Sequence, residues 1–319
     1  METKCSRPGL PGGRSRGAHF PPGRSILSQG FWILVSRASA AYPSYGMSNR
    51  IDATFTQLRD RKETAFVAYV TAGDPDLERS LEILIALAEA GADILELGVP
   101  FSDPLADGIV NQMAAARSLA AGCDTPGVFE LIRRFRKSHQ VPVVLYNYMN
   151  PVYSYGYADY HRDASEAGAD GILLLDLPPD EAVHNDEMSH HAGLHHIRLI
   201  APTTPPDRVK LLAERGEGFI YALSRTGVTG SHGAPSEKIG EQVAGIRKHT
   251  SLPVCVGFGI TTPEQAALVA SVADGIVVGS AIVRQVETHA DSADVAGRVA
   301  AFTRPLIEAA KGGTLPAPE

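Results

Sequence analysis

Cysteine is scarce. Cys5, Cys123 and Cys255 are widely spaced, odd in number and free of any Cys-x-x-Cys pattern. That excludes a disulfide framework and a thiolate zinc site, and it suits a reducing compartment. Tryptophan occurs once, at Trp32. Long hydrophobic runs are missing: Phe31-Trp32-Ile33-Leu34-Val35, the only strongly apolar run of the N-terminal segment, falls far short of the roughly 20 residues that span a bilayer. Positive charge is not in excess either, since 29 Lys+Arg face 36 Asp+Glu for a net charge of -7. No global basic field would draw in nucleic acid or an anionic lipid surface, so an anionic small ligand would need local attraction.

What is present describes a soluble globular chain: 319 residues, 44% hydrophobic and 20% charged, with 31 Gly and 22 Pro. That length permits two ordinary domains or one large barrel. Charge divides the chain. Residues 1–46 hold six basic residues and one acid, a net +5, and the remainder holds 23 basic and 35 acidic residues, a net -12. The leader 1–46 is rich in Gly, Pro and Ser, and its prolines and glycines oppose a continuous amphipathic helix. It is expected to be a disordered tail or the product of a start codon placed too early, in preference to a plastid transit peptide. The body, 47–319, is then expected to act in the cytoplasm.

From Met47 onward, short apolar runs alternate with longer amphipathic stretches. The expected strands are Ala65–Thr71, Ile94–Gly98, Pro142–Tyr146, Gly171–Leu175, Ile197–Ile200, Gly218–Ala222, Val254–Gly257 and Gly275–Val278. Helical stretches lie between them, for example Leu77–Ala90, Met113–Ala121, Tyr157–Ala167, Asp180–His190, Pro263–Ala270 and Ala281–His289. Leu81, Leu84, Ile85 and Ala88 recur at the spacing of one buried helix face. Ala90-Gly91-Ala92-Asp93 and Ala167-Gly168-Ala169-Asp170 read as glycine-capped helix ends entering strands, and Val272-Ala273-Asp274 is a less complete copy. Repeated βα units demand a parallel sheet, and eight of them suit a closed (β/α)8 TIM barrel in a single α/β domain. Arg50–Arg61 reads as an extra amphipathic helix, through Ile51, Phe55 and Leu58, covering the N-terminal end of the barrel.

In such a barrel the chemistry belongs at C-terminal strand ends. Glu96 interrupts the apolar run Ile94-Leu95-Glu96-Leu97, where a carboxyl is costly without a partner or a task, so it reads as a functional acid/base or a structural carboxylate. Asp103 and Asp107 lie in a Pro- and Gly-containing loop; each suits turn formation or capping, and Asp107 would also reach over the mouth to hold a substrate N–H. Glycines recur at three consecutive strand ends, in Thr226–Gly230, Gly257–Ile260 and Gly279–Ile282. Backbone N–H groups there, with a helix N-terminus, suit a phosphate.

Five stretches carry a family resemblance: Phe66–Pro75, Leu95–Gly108 (LELGVPFSDPLADG), Tyr221–Gly230, Gly257–Ile260 and Gly279–Val283. Together they resemble the tryptophan synthase alpha chain, from about Asn49 to the last helix. The resemblance implies retro-aldol cleavage of indole-3-glycerol phosphate to indole and glyceraldehyde 3-phosphate, with no cofactor in this chain. It implies Glu96 as acid/base and Asp107 as the partner of the indole N–H. Tyr221 would line the glycerol end, and Gly230, Gly259, Gly279 and Ser280 would hold the phosphate. Tyr69, Thr71, Tyr148, Phe258, Leu173 and Leu175 would surround the indole, with ordinary barrel core as the competing reading for the apolar ones. Thr229, in a lid from Ser224 to Pro235, would contact Asp107 on closure. A pyridoxal-phosphate beta chain is the implied partner, in an α2β2 complex, met by Asn150 and Pro151. Ile109 departs from the pattern, which usually has Pro there, and would loosen the Asp107 loop.

The histidines His184, His190, His191, His195 and His196 match no metal motif and read as a solvated turn; His161 and His249 read as helix-surface residues, and Cys255 as a small buried hydrophobe. Two other functions compete: a different phosphate-binding barrel enzyme, although no lysine stands at the strand ends, and a non-catalytic subunit that activates a beta chain.

Overall fold

Nine parallel strands build the sheet of the computed structural model, which describes residues 49–224, 235–257 and 259–312. They are β1 (Ala65–Thr71), β2 (Ile94–Gly98), β3 (Val143–Asn147), β4 (Gly171–Leu174), β5 (His195–His196), β6 (Arg198–Ile200), β7 (Ile220–Leu223), β8 (Val254–Gly257) and β9 (Gly275–Val278). Their order is β5-β4-β3-β2-β1-β9-β8-β7-β6. Only Ile197 separates β5 from β6, and its N–H donates to the Ile172 carbonyl at 2.9 Å. β5 pairs with β4 and β6 with β7. The eight expected strand positions are therefore present. The fifth is interrupted where it turns from one neighbour to the other and brings the two ends of the sheet together as a TIM barrel.

Both faces of these strands are covered, which is why they read as continuous apolar runs and not as alternations. Phe66, Ala68, Val70, Leu95 and Leu97 face the helical layer, whereas Ala65, Val67, Ile94, Val144, Leu173, Phe219 and Val277 pack together inside the barrel. Helix Arg50–Arg61 adds Ile51, Phe55 and Leu58 to this inner cluster, with the Phe55 and Phe219 rings 5.8 Å apart. Burial of three such side chains is worth roughly 1.5–3 kcal/mol each. The helix is held at its start by Asn49, whose side chain accepts from the Ile51 N–H and donates to the Asp170 carbonyl.

The glycine-capped helix ends are as expected, with Gly91 at φ 103° and Gly168 at φ 102°. The aspartates that follow perform a further task. Asp93 accepts from the Phe66 N–H, Asp170 from the Val143 N–H and Asp274 from the Val254 N–H, at 2.8–2.9 Å. Each also pairs with a cation: Lys311 on Asp93, Arg50 and Arg136 on Asp170, Arg247 on Asp274. A carboxylate thereby satisfies a donor at the start of a neighbouring strand three times around the N-terminal rim.

Several expected boundaries move. The helix after the Asp107 loop is Ile109–Ala120, a turn longer at its start than the periodicity showed, and Met149–Tyr155 and Val295–Ala310 are further helices. Two histidine readings are overturned. His196 lies on β5, buried, and its Nδ1 is 2.6 Å from Asp186; His161 is buried against the Tyr157 carbonyl at 2.7 Å. Local periodicity could not tell the buried strand position of His196 from a solvated turn, nor the buried face of helix Tyr157–Ala167 that carries His161 from its surface.

Candidate active site

At the C-terminal end of the strands a cavity of about 450 Å3 opens, with Glu96, Asp107, Tyr69, Tyr146, Tyr221 and Ser280 on its walls. Alternation along β2 sets Glu96 on the inner face with Ile94, opposite Tyr69 of β1 and Val144 of β3. Its side chain is 1% exposed, and Oε1 has no hydrogen-bond partner among the described residues. Burial, with the charge of Asp107 second, pushes its pKa up to about 8. A carboxyl in this condition is protonated near neutrality yet close enough to its pKa to give or take a proton.

Asp107 ends the loop that follows β2 and precedes helix Ile109–Ala120. Two phenols address its carboxylate: Tyr146 donates to Oδ1 at 3.0 Å and Tyr148 to Oδ2 at 2.7 Å. The Asn111 amide reaches Oδ1 at 3.4 Å, and Gln112 donates to the Asp107 carbonyl at 2.8 Å. Ile109 is the first residue of its helix, with Gly108 as N-cap; that is the one helical position where proline is welcome, because its N–H is not needed. Tyr146 and Asn111 escaped the sequence reading, although the inward register of Val144 on β3 also points Tyr146 inward.

Two glycines make room for two rings. A β-carbon on Gly98 would collide with the Tyr69 hydroxyl, and one on Gly257 would lie 2.5 Å from that of Tyr221. Burial raises the pKa of Tyr69, Tyr146 and Tyr221 above the ordinary phenol value, so these groups remain hydroxyl donors. Tyr69 packs edge-on against Tyr146 at 5.0 Å.

The third wall is glycine-rich. Gly259, Gly279 and Ser280 line the same cavity. Helix Ser280–Thr288 begins there with Gly279 as N-cap and no side chain capping it, so its first turn presents backbone donors and the positive end of the helix dipole. Gly230, Thr229 and Phe258, expected in this site, lie outside the described residues. Four other expected contacts stand back from the cavity. Thr71 is buried beside the Tyr69 hydroxyl at 3.5 Å. Tyr148 is not on the cavity wall and reaches it through Asp107 and the Ala106 N–H. Leu173 and Leu175 pack in the inner apolar cluster.

A larger hollow of about 610 Å3 lies at the opposite end, beneath helix Arg50–Arg61, and contains the Arg247–Asp274 ion pair at 2.8 Å. Its wall holds no buried carboxyl lacking a partner among the described residues, so the smaller cavity is the chemical one. Among the described residues no group of three His, Cys, Asp or Glu could hold a metal ion, and no helix is long and apolar enough to cross a membrane.

Comparison with known proteins agrees with this geometry. A family model for the tryptophan synthase alpha chain matches residues 55–311. The tryptophan synthase alpha chain of Desulfosudis oleivorans is 46% identical over 263 residues, covering 82% of this chain and 99% of the relative. That of Geotalea daltonii is 48% identical over 238 residues, covering 75% and 90%. Among solved structures, tryptophan synthase subunit alpha from Legionella pneumophila superposes with a TM-score of 0.74 at 37% identity, covering 83% of this chain and 99% of the other. A chain of M. tuberculosis tryptophan synthase gives 0.75 at 31% identity, covering 83% and 100%.

Proposed function

The chain belongs to the tryptophan synthase alpha chain family, and from that premise we propose that Glu96 and Asp107 carry out its lyase reaction in the cavity described above. The reaction cleaves indole-3-glycerol phosphate to indole and glyceraldehyde 3-phosphate. Glu96, protonated up to about pH 8, gives its proton to indole C3. Positive charge then develops on the ring nitrogen, whose N–H is held by the Asp107 carboxylate; a fixed anion in a water-poor site stabilises that charge as it forms. The Glu96 carboxylate next takes the proton of the carbinol hydroxyl. The C–C bond to C3 breaks, its electron pair restores the indole ring, and the carbinol carbon leaves as the aldehyde. One residue serves both transfers because its pKa lies near neutrality.

Gly259, Gly279 and Ser280 would hold the phosphate by backbone donors and the first turn of helix Ser280–Thr288. Gly230 is assigned to the same task, and Thr229 and Phe258 to lid and indole contacts, from the sequence motifs alone. Tyr69 and Tyr221, on the cavity wall, would bracket the indole and the glycerol chain.

Released indole passes in this reading to a beta chain that carries pyridoxal phosphate, in an α2β2 complex. Beside the Asp107 loop, Leu105 is 82% exposed and Ile109 68%, with Met113 one turn further along the same helix. Asn150 is exposed and Tyr153 lies bare nearby on helix Met149–Tyr155. Exposed apolar residues of this size mark a docking face, and its closeness to the cavity suits delivery of an apolar product. A cytoplasmic setting is part of the same proposal, with Cys123 and Cys255 as free thiols.

The observation that carries the reading is the buried Glu96 carboxyl, unpartnered at Oε1. Indole release from indole-3-glycerol phosphate, with and without a beta chain, tests it in wild type, Glu96→Gln and Asp107→Asn. Loss of the acid/base should slow cleavage by roughly 10²–10⁴. Equal rates in all three proteins would overturn the mechanism, and stimulation of the partner without intrinsic cleavage would favour a non-catalytic subunit.

A further inference from the structure

Asp107 sits on a loop, yet its carboxylate is aimed by groups on more rigid elements. Each carboxylate oxygen has room for about two donors. Oδ1 has two, the Tyr146 phenol at 3.0 Å and the Asn111 amide at 3.4 Å. Oδ2 has one among the described residues, Tyr148 at 2.7 Å. A substrate donor entering the cavity therefore finds its acceptor site on Oδ2.

We infer that Tyr146 is a positioning residue: with Asn111 it fills Oδ1 of Asp107 and so directs Oδ2 at the indole N–H. This rests on the assignment of Asp107 above. Tyr146 is well placed for the task. It stands on β3, paired in register with Gly98 at the end of β2. Its ring is locked edge-on against Tyr69, at 5.0 Å and 72°, and Tyr69 is the register partner of Glu96. The phenol thereby ties the orientation of Asp107 to the strand pair that carries the acid/base. Burial and then the Asp107 charge hold the hydroxyl protonated, well above the usual phenol pKa. Tyr148 is fixed separately, accepting from the Ala106 N–H at 3.0 Å and packing on Phe101. Asn111 Oδ1 is itself buried without a partner among the described residues, so the amide is held by its Nδ2 contact with Asp107.

A catalytic group needs its aim held to within about half an ångström, and the N–H contact strengthens as charge develops, so misaiming should appear in kcat more than in KM. The test is steady-state cleavage by the full chain with its beta partner, for wild type, Tyr146→Phe, Asp107→Asn and the double variant. Tyr146→Phe should lower kcat by roughly ten- to a hundredfold, the worth of a charge-assisted hydrogen bond, while KM changes less than about threefold. In the Asp107→Asn background the same substitution should change kcat by less than about twofold. A melting temperature and circular dichroism spectrum matching wild type establish that Tyr146→Phe is folded.

A binding measurement needs no turnover. Wild type should prefer an indole-3-alkyl phosphate over the benzothiophene analogue, which has sulfur where indole has N–H, and Tyr146→Phe should reduce that preference at least threefold. An unchanged preference, an equal effect of Tyr146→Phe in both backgrounds, or an unaffected kcat would overturn the inference. Absence of cleavage by wild type would instead overturn the assigned reaction, so the two failures are distinguishable.

Discussion

The Tyr221 hydroxyl occupies the space that a β-carbon on Gly257 would need, 2.5 Å away. Gly257 has no unusual backbone requirement; it is a strand residue whose hydrogen side chain leaves room for the ring end of the tyrosine on the neighbouring strand at the cavity wall. Gly257→Ala must therefore displace Tyr221 from the cavity wall. The expected cost is about 1–3 kcal/mol of stability, together with a fall in kcat/KM for the indole substrate. Thermal melts and steady-state kinetics read both, and a wild-type kcat/KM would show that the ring has no part in the site.

Glu96 should make the protein weaker in alkali. Its pKa is raised to about 8 by burial, and by the Asp107 charge second, whereas an unfolded glutamate titrates near 4.3. Between those values the folded state binds more protons than the unfolded one. The stabilising contribution is complete below the unfolded pKa and is lost as pH rises through about 8, by about 1.4 kcal/mol for each pH unit within that window. Glu96→Gln has no such titration, so the stability difference between variant and wild type should widen in favour of the variant from pH 5 to pH 8.5. Denaturant melts across that range check it; parallel curves would mean that Glu96 is ionised at neutrality.

The opposite slope is expected from buried His196 and Arg198 and the half-buried Asp186 between them. His196 Nδ1 faces Asp186 at 2.6 Å, and the Arg198 guanidinium lies 3.4 Å from Nε2, so those partners assign the proton to Nδ1 of a neutral ring. Burial, which outweighs the Asp186 contact and is helped by the Arg198 charge, lowers the His196 pKa to about 4. The unfolded chain takes up that proton near pH 6.5. Stability from this group is present above pH 6.5 and lost as pH falls through about 4. His196→Gln should flatten the acid limb of the stability curve between pH 7 and 4, and an NMR titration should show the His196 ring neutral at pH 5.

Asp170 offers a control at the far end of the barrel. Its carboxylate accepts from the Val143 N–H and pairs with Arg50 at 2.7 Å and Arg136 at 2.8 Å. Asp170→Ala strands two cations and a strand donor and should cost about 3 kcal/mol. That lowers Tm by roughly 6–12 °C in a domain of this size. Cleavage per folded molecule at low temperature should equal wild type, because no cavity residue is touched. A rate loss without a Tm loss would contradict this division between stability at one end and chemistry at the other.

Local sequence patterns carry the repeating architecture and set Glu96 and Asp107 at and after a strand end, where both line the cavity. Runs such as Ala65–Thr71, Ile94–Gly98, Val254–Gly257 and Gly275–Val278 coincide with strands to the residue, because burial on both faces leaves a local signature that needs no partner to be read. The same holds for the covering helix Arg50–Arg61, whose Ile51, Phe55 and Leu58 recur at helical spacing. Glu96 stood out as a carboxyl inside such a run.

Pairings between residues far apart in the chain have no such local signature, because they exist only once the barrel has closed. Asp93 meets Lys311 across 218 positions, and Asp170 meets Arg50 across 120; the Gly-Ala-Asp repeat announced a helix end but not its aspartate's partners. The interruption at Ile197 depends on which neighbours lie at the closing seam. His196 of β5 meets Asp186 only once helix Val183–His191, which carries the aspartate, covers that strand. Leu173, a core residue here, and Tyr146, a donor to Asp107, both lie on inward strand positions. Periodicity assigns a side chain to a face, but the barrel's depth decides whether that face is apolar floor or reactive mouth.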